Sequence, residues 1–160
     1  MFVPFDELPD SARIWIYQSN RPFTETELPT LKEELRQFIE EWTVHGANLN
    51  ASFTLKYNRF IIIAVDEDYA STSGCSVDAS VHFIQKLQEK YQVDLLDKMN
   101  VTFKQGDYIA YKELKDFKKM VKNRAVSPKT VVFNNLVNSK AEFQEYWEVP
   151  MEESWHKRFL

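Results

Sequence analysis

The chain has 160 residues, 44% hydrophobic and 28% charged, a composition of folded globular proteins rather than of disordered or membrane-embedded chains. Its 20 Lys and Arg against 24 Asp and Glu leave a net charge of −4 at pH 7, which argues against a surface that binds polyphosphate throughout but allows a local basic patch. A chain this long can bury a core without staples, and Cys75 is the only cysteine, so intrachain disulfides are excluded and one domain over residues 1–160 is expected.

Near the N-terminus Asp6, Glu7 and Asp10 stand without a base, unlike a secretory leader, and a cytoplasmic location is expected. Ile14-Trp15-Ile16-Tyr17 reads as a first strand ending at the polar turn Gln18 to Pro22. After Pro29, Leu31, Leu35, Phe38, Ile39 and Trp42 recur at helical spacing up to Gly46. Phe53, Leu55 and Tyr57 alternate with polar residues, and Asn58-Arg59 separates them from the apolar run Phe60 to Val65. The pattern predicts a half-exposed strand hairpinned to a central one. That run is the longest apolar stretch, far short of the about 20 residues that span a bilayer, so no membrane span is expected.

A hydroxyl-rich stretch, Ser71 to Ser76, leads into a second helix with Val77, Val81, Ile84, Leu87 and Tyr91 inward and Ser76 as its cap. Val101 to Lys104 and Tyr108 to Tyr111 flank Gln105-Gly106-Asp107, a second hairpin. A third helix follows, with Leu114, Phe117 and Val121 facing inward and lysines outward. Val131 to Phe133 reads as a short strand, and Ala141 to Trp147 and Glu152 to Phe159 as short helices split by Pro150. The predicted class is α+β, with a mixed or antiparallel sheet and helices mainly on one face. The order of elements matches a ferredoxin-like βαββαβ core with a C-terminal strand and helices appended.

Several stretches together resemble one family of short bacterial proteins that automated naming often labels "ABC transporter ATPase". They are Phe2 to Asp6, Leu8 to Arg13, Tyr57 to Ile61, Ser73 to Ser76, Val132 to Leu136, Tyr146 to Pro150 and Ser154 to His156, so the resemblance runs essentially end to end. It implies no established activity. The label itself fails on the residues. A P-loop needs Gly-x4-Gly-Lys-Ser/Thr, so that backbone amides wrap the phosphates and a lysine neutralises them. Gly46, Gly74 and Gly106 are the only glycines and are followed by Ala, Cys and Asp.

Two places carry candidate chemistry. Ser71, Thr72, Ser73, Gly74, Cys75 and Ser76, with Asp66 before them and Asp78 after, place hydroxyls and helix N-terminal amides where an anion could sit. The same hydroxyls more ordinarily cap their own helix. Cys75 is either a thiol activated by the helix dipole or a small buried residue. It stands seven positions from His82, roughly 10 Å along a helix, too far for a direct Cys–His bond. Asp78 and His82 are placed to pair.

Lys115, Lys118, Lys119 and Lys122 share a helical face inside Lys112 to Lys129, which holds seven bases and only two acids. That face suits nucleic-acid phosphates, anionic lipid or an acidic partner, or is simply a solvated face. Nucleic acid is the less favoured partner there, because the run lacks interleaved aromatic and Arg contacts. No metal site is expected, since the three histidines are far apart and Cys-x2-Cys is absent, and no cofactor is implied. The aromatic groups near the chain ends, Phe2, Phe5, Trp147, Trp155 and Phe159, pack on the core or form a homo-oligomer interface. No complete catalytic constellation is present, and a binding or interaction protein is the leading expectation.

Overall fold

The computed structural model describes residues 1–45, 49–67 and 74–160, apart from the side chains of 43–45 and 75. Among them, in order, are β1 (Arg13–Gln18), α1 (Glu27–His45), β2 (Asn50–Lys56), β3 (Phe60–Asp66), α2 (Gly74–Tyr91), β4 (Val101–Gln105), β5 (Tyr108–Lys112), α3 (Leu114–Lys122), β6 (Val131–Phe133), α4 (Lys140–Tyr146) and β7 (Glu148–Pro150). Three 3-10 turns stand at Phe5–Glu7, Met151–Glu153 and Trp155–Phe159. The class is α+β. The strands form two antiparallel sheets, ordered β1-β3-β2 and β5-β4-β6-β7. The chain divides into two compact units, Met1–Leu96 with Asn138–Ala141, and Asp97–Val137 with Glu142–Leu160.

In the first unit the apolar run forms the central strand, and every residue of β3 is buried. Ile61, Ile63 and Val65 pack with Leu31, Leu35 and Ile39 of α1 and with Ile84, Leu87 and Tyr91 of α2, so both helices cover one face of the sheet. Phe60, Ile62 and Ala64 on the other face are also buried, which is why the strand is continuously apolar instead of alternating. Each of these large side chains contributes roughly 1.5–3 kcal/mol by leaving water.

Helix α1 begins earlier than its apolar spacing suggests. The Thr24 hydroxyl accepts from the Glu27 amide at 3.2 Å and the Glu27 carboxylate accepts from the Thr24 amide at 2.9 Å, a reciprocal capping box. Pro29 then stands as the third residue of α1, close to its start, where helices tolerate proline best. The Arg21 guanidinium donates to both Glu27 carboxylate oxygens, at 2.8 and 3.1 Å, and to the Tyr91 carbonyl at 2.6 Å, joining the start of α1 to the end of α2.

Elements β1 to α2 form the split β-α-β half of the expected ferredoxin-like core, with β3 between β1 and β2. The other half departs from it. β4 does not add beside β1 but pairs with β5 and β6 in the second sheet. The reason is local: Gly106, with φ +62°, allows a two-residue turn that closes the β4–β5 hairpin. β1 meets the segment 138–139 instead, through the Ile14 amide on the Asn138 carbonyl at 3.0 Å and an Arg13–Ser139 bridge.

The second unit is built around Val101, Phe103, Ala110, Phe117, Val126, Val132 and Met151, with Leu114, Val121 and Phe159 packed against them. The predicted inward face of α3 is the observed one. Two features differ from the pattern after Phe133. A short strand, β7, stands at Glu148–Pro150 against β6, and the expected terminal helix is two 3-10 turns. Two of the end aromatics pack within the units. Phe2 bridges to Ala51 and lies 5.9 Å from the Phe53 ring, and Trp147 is buried against Phe133 and Phe143. Among the described residues no helix is long and apolar enough to cross a membrane.

Candidate functional site

The hydroxyl-rich loop is only partly described. Ser71, Thr72 and Ser73 and the Cys75 side chain lie outside the described residues. Asp66 is a buried residue at the end of β3, opposite Asn50. Helix α2 starts at Gly74, so Ser76 occupies its first turn instead of capping it, and its carbonyl accepts the Trp42 indole N–H at 2.9 Å. A Cβ at Gly74 would meet nothing within 4 Å, so no close approach demands glycine there. Asp78 and His82 are both exposed and form no ion pair with each other. Among the described residues no group of three or more His, Cys, Asp or Glu could hold a metal ion.

The lysine face of α3 is fully described. Phe117 buries one side of the helix against Phe103 and His156, which sets Lys115, Lys118, Lys119 and Lys122 outward along about 10 Å of axis. Lys119 and Lys122 stand in the last turn, where the helix dipole favours cations. The helix then ends in a Schellman motif, with the Ala125 amide on the Met120 carbonyl at 2.8 Å and the Arg124 amide on the Val121 carbonyl at 3.1 Å. The residue in the left-handed position is Arg124, at φ 57°, where glycine is usual. A strained residue therefore places another cation at the end of the lysine face.

The C-terminal turn widens this surface with groups distant in sequence. His156 is buried behind Phe117, its Nδ1 2.6 Å from the Ser154 hydroxyl, and it anchors the turn Trp155–Phe159 beside α3. Burial holds its imidazole down to about 4, so it is neutral at pH 7. The half-buried Phe159 ring has the Lys118 ammonium 5.3 Å and the Arg158 guanidinium 5.9 Å from its centroid, with Trp155 edge-on at 5.6 Å. Arginine and aromatic groups thus join the lysines, although the stretch 112–129 itself contains almost none.

Ion pairing engages some bases of this unit and leaves others without a carboxylate partner, Lys98 and Lys157 as well as most of the α3 cluster. Lys104 pairs with Glu148 at 3.1 Å, Lys129 with Glu152 at 2.5 Å, and Lys115 reaches Glu113 at 3.7 Å. Lys112, Lys118, Lys119, Lys122, Arg124 and Arg158 are exposed and make no ion pair with a carboxylate among the described residues. The net charge of −4 hides an uneven distribution. The first unit holds 9 Lys and Arg against 15 Asp and Glu, and the second 11 against 9. No family model, no curated protein and no solved structure matches the chain.

Proposed function

We infer that the protein is a non-catalytic binding protein whose second unit engages the phosphate backbone of a nucleic acid through the outer face of α3 and the adjoining C-terminal turn. The observation that supports this most is the set of exposed, carboxylate-free cations Lys118, Lys119, Lys122, Arg124 and Arg158 on one surface. Folded chains ordinarily intersperse such charges with acids, and clustered bases without partners release counterions when phosphates replace them. Phe159 and Trp155, half-buried at the edge of the same surface, give bases a place to stack.

The test is fluorescence anisotropy with a labelled single-stranded oligonucleotide over a series of salt concentrations. Four to five phosphate contacts correspond to a log–log salt slope of about −3. Charge reversal at Lys118, Lys119 and Lys122 should abolish most of that slope. Absence of affinity at low salt, or unchanged binding by the triple variant, would end the proposal. Equal binding of polyglutamate would shift the assignment to an acidic protein partner.

A further inference from the structure

The first unit carries a separate site. α1 and α2 run antiparallel: the Trp42 indole near the end of α1 meets the Ser76 carbonyl at the start of α2, and the Tyr91 hydroxyl at the end of α2 meets the Glu34 carboxylate. On the side of this pair away from the sheet a groove of about 410 Å³ opens between them. Its floor is aromatic. Phe38 and Phe83 stack with centroids 4.2 Å apart and planes 7° apart, and Phe38 stacks in turn on Trp42 at 5.5 Å and 21°. Phe38 and Phe83 are nevertheless only half-buried, so two large rings keep apolar surface in the cleft. A groove of this volume with an aromatic floor and a few charged groups is of the size and character that small ligands fill.

The charges on its walls differ in their engagement. Glu34 is already bound by the Lys90 ammonium at 3.0 Å and by the Tyr91 hydroxyl. Glu41 accepts only a 3.3 Å hydrogen bond from the Gln37 amide and makes no ion pair among the described residues, with the exposed His82 on the facing wall of the groove. Lys86 on the opposite wall has no carboxylate partner among the described residues. Because the helices are antiparallel, Glu41 lies toward the Ala79 end of the groove and Lys86 toward the Glu34 end. Ala79 and Lys86 are seven positions apart, about 10 Å along α2. One unengaged negative group and one unengaged positive group therefore stand at opposite ends of an aromatic floor.

We propose that this groove binds a small apolar zwitterion, its ammonium at Glu41, its anionic group at Lys86, and its aliphatic or aromatic body over Phe38 and Phe83. Charge complementarity at both ends selects the zwitterion over a lipid, which would need a longer apolar channel, and over a simple cation, which would leave Lys86 unanswered.

The probe is 4-(aminomethyl)phenylacetate, titrated by calorimetry against the intact protein, with benzylamine and phenylacetate as single-charge controls. The zwitterion should bind saturably and more tightly than either control, by a factor of about five per exposed charge pair. Glu41→Gln should lower its affinity to the level of phenylacetate without changing phenylacetate binding, and Lys86→Gln should do the converse with benzylamine. Phe83→Leu, which keeps an apolar side chain, should weaken all three compounds alike. No saturable binding up to about 10 mM, where an affinity is weaker than most biological ligands show, would overturn the proposal. Zwitterion affinity unaffected by both charge variants would overturn it equally.

Discussion

Arg124 offers a test in which stability and binding should move in opposite directions. A non-glycine residue in the left-handed region costs roughly 1–2 kcal/mol, whereas glycine there is unstrained but loses about 0.5–1 kcal/mol more backbone entropy on folding. Arg124→Gly should therefore stabilise the protein by about 0.5–1 kcal/mol, since φ at this position is 57° and the Schellman bonds are made by backbone groups that glycine retains. In a chain of 160 residues this corresponds to an increase in Tm of about 2–3 °C. The same substitution removes one cation from the α3 surface and should flatten the oligonucleotide salt slope by about 0.7. Urea unfolding followed by circular dichroism, paired with anisotropy titrations, measures both quantities on one preparation. A variant less stable than the parent would show that the Arg124 side chain contributes more to the fold than its backbone costs, and would refute the view that strain is held there for the sake of its charge.

Three further outcomes are expected. With its imidazole held near 4 against an ordinary 6.5, His156 contributes stability that is complete above pH 6.5 and lost as the pH falls to 4, because the unfolded chain takes up the proton first. The loss is about 3 kcal/mol, and urea midpoints at pH 7.5 and 4.5 should diverge in the parent more than in His156→Phe. Buried Lys140 donates to the Asp6 carbonyl at 3.1 Å and the Leu8 carbonyl at 2.7 Å, so Lys140→Met should cost about 3 kcal/mol in chemical denaturation; a neutral result would mean the charge is not needed there. Gly106→Ala has room for its methyl group but strains a φ of +62°, and should lower stability by about 1 kcal/mol, read from the urea midpoint.

The parts of the fold that could be read from sequence are those where one local period dominates. The apolar run 60–65 could only be a strand buried on both sides, and Leu114, Phe117 and Val121 could only face one core. The start of α1 was also present in the sequence, as Thr24-x-x-Glu27, but Pro29 masks it, since a proline in the first turn looks like a boundary. β4's partner was not legible. Its hairpin with β5 is local, yet its other neighbour, β6, is held through a single register pair 29 residues apart, Phe103 with Val132. β7 is three residues ending in proline, too short to show a period. The cationic surface was half visible: helical spacing marks its lysines, but Arg158 and Phe159 reach it only through the burial of His156, which no spacing rule links to Phe117. The α1–α2 groove left only a faint sequence signal: Phe38 falls within the apolar period of α1, while Phe83 lies off the inward period of α2, and nothing in the spacing says that the two rings meet.

The Lys140 bonds have a temporal meaning as well. They join positions 134 and 132 residues apart in the chain, and the same late segment supplies the bridge to β1. During synthesis, residues 1–96 emerge with one strand edge and the Asp6–Leu8 carbonyls still waiting for a partner that the ribosome has not yet made. At about 5–20 residues per second the remaining stretch takes several seconds, long enough for a nascent intermediate to persist. Synthesis of Asn138–Ala141, rather than the closing of the central sheet, is then the event that completes the first unit. Arrested nascent chains ending before Asn138 should be cleaved near their N-terminus by a protease that leaves the finished protein intact.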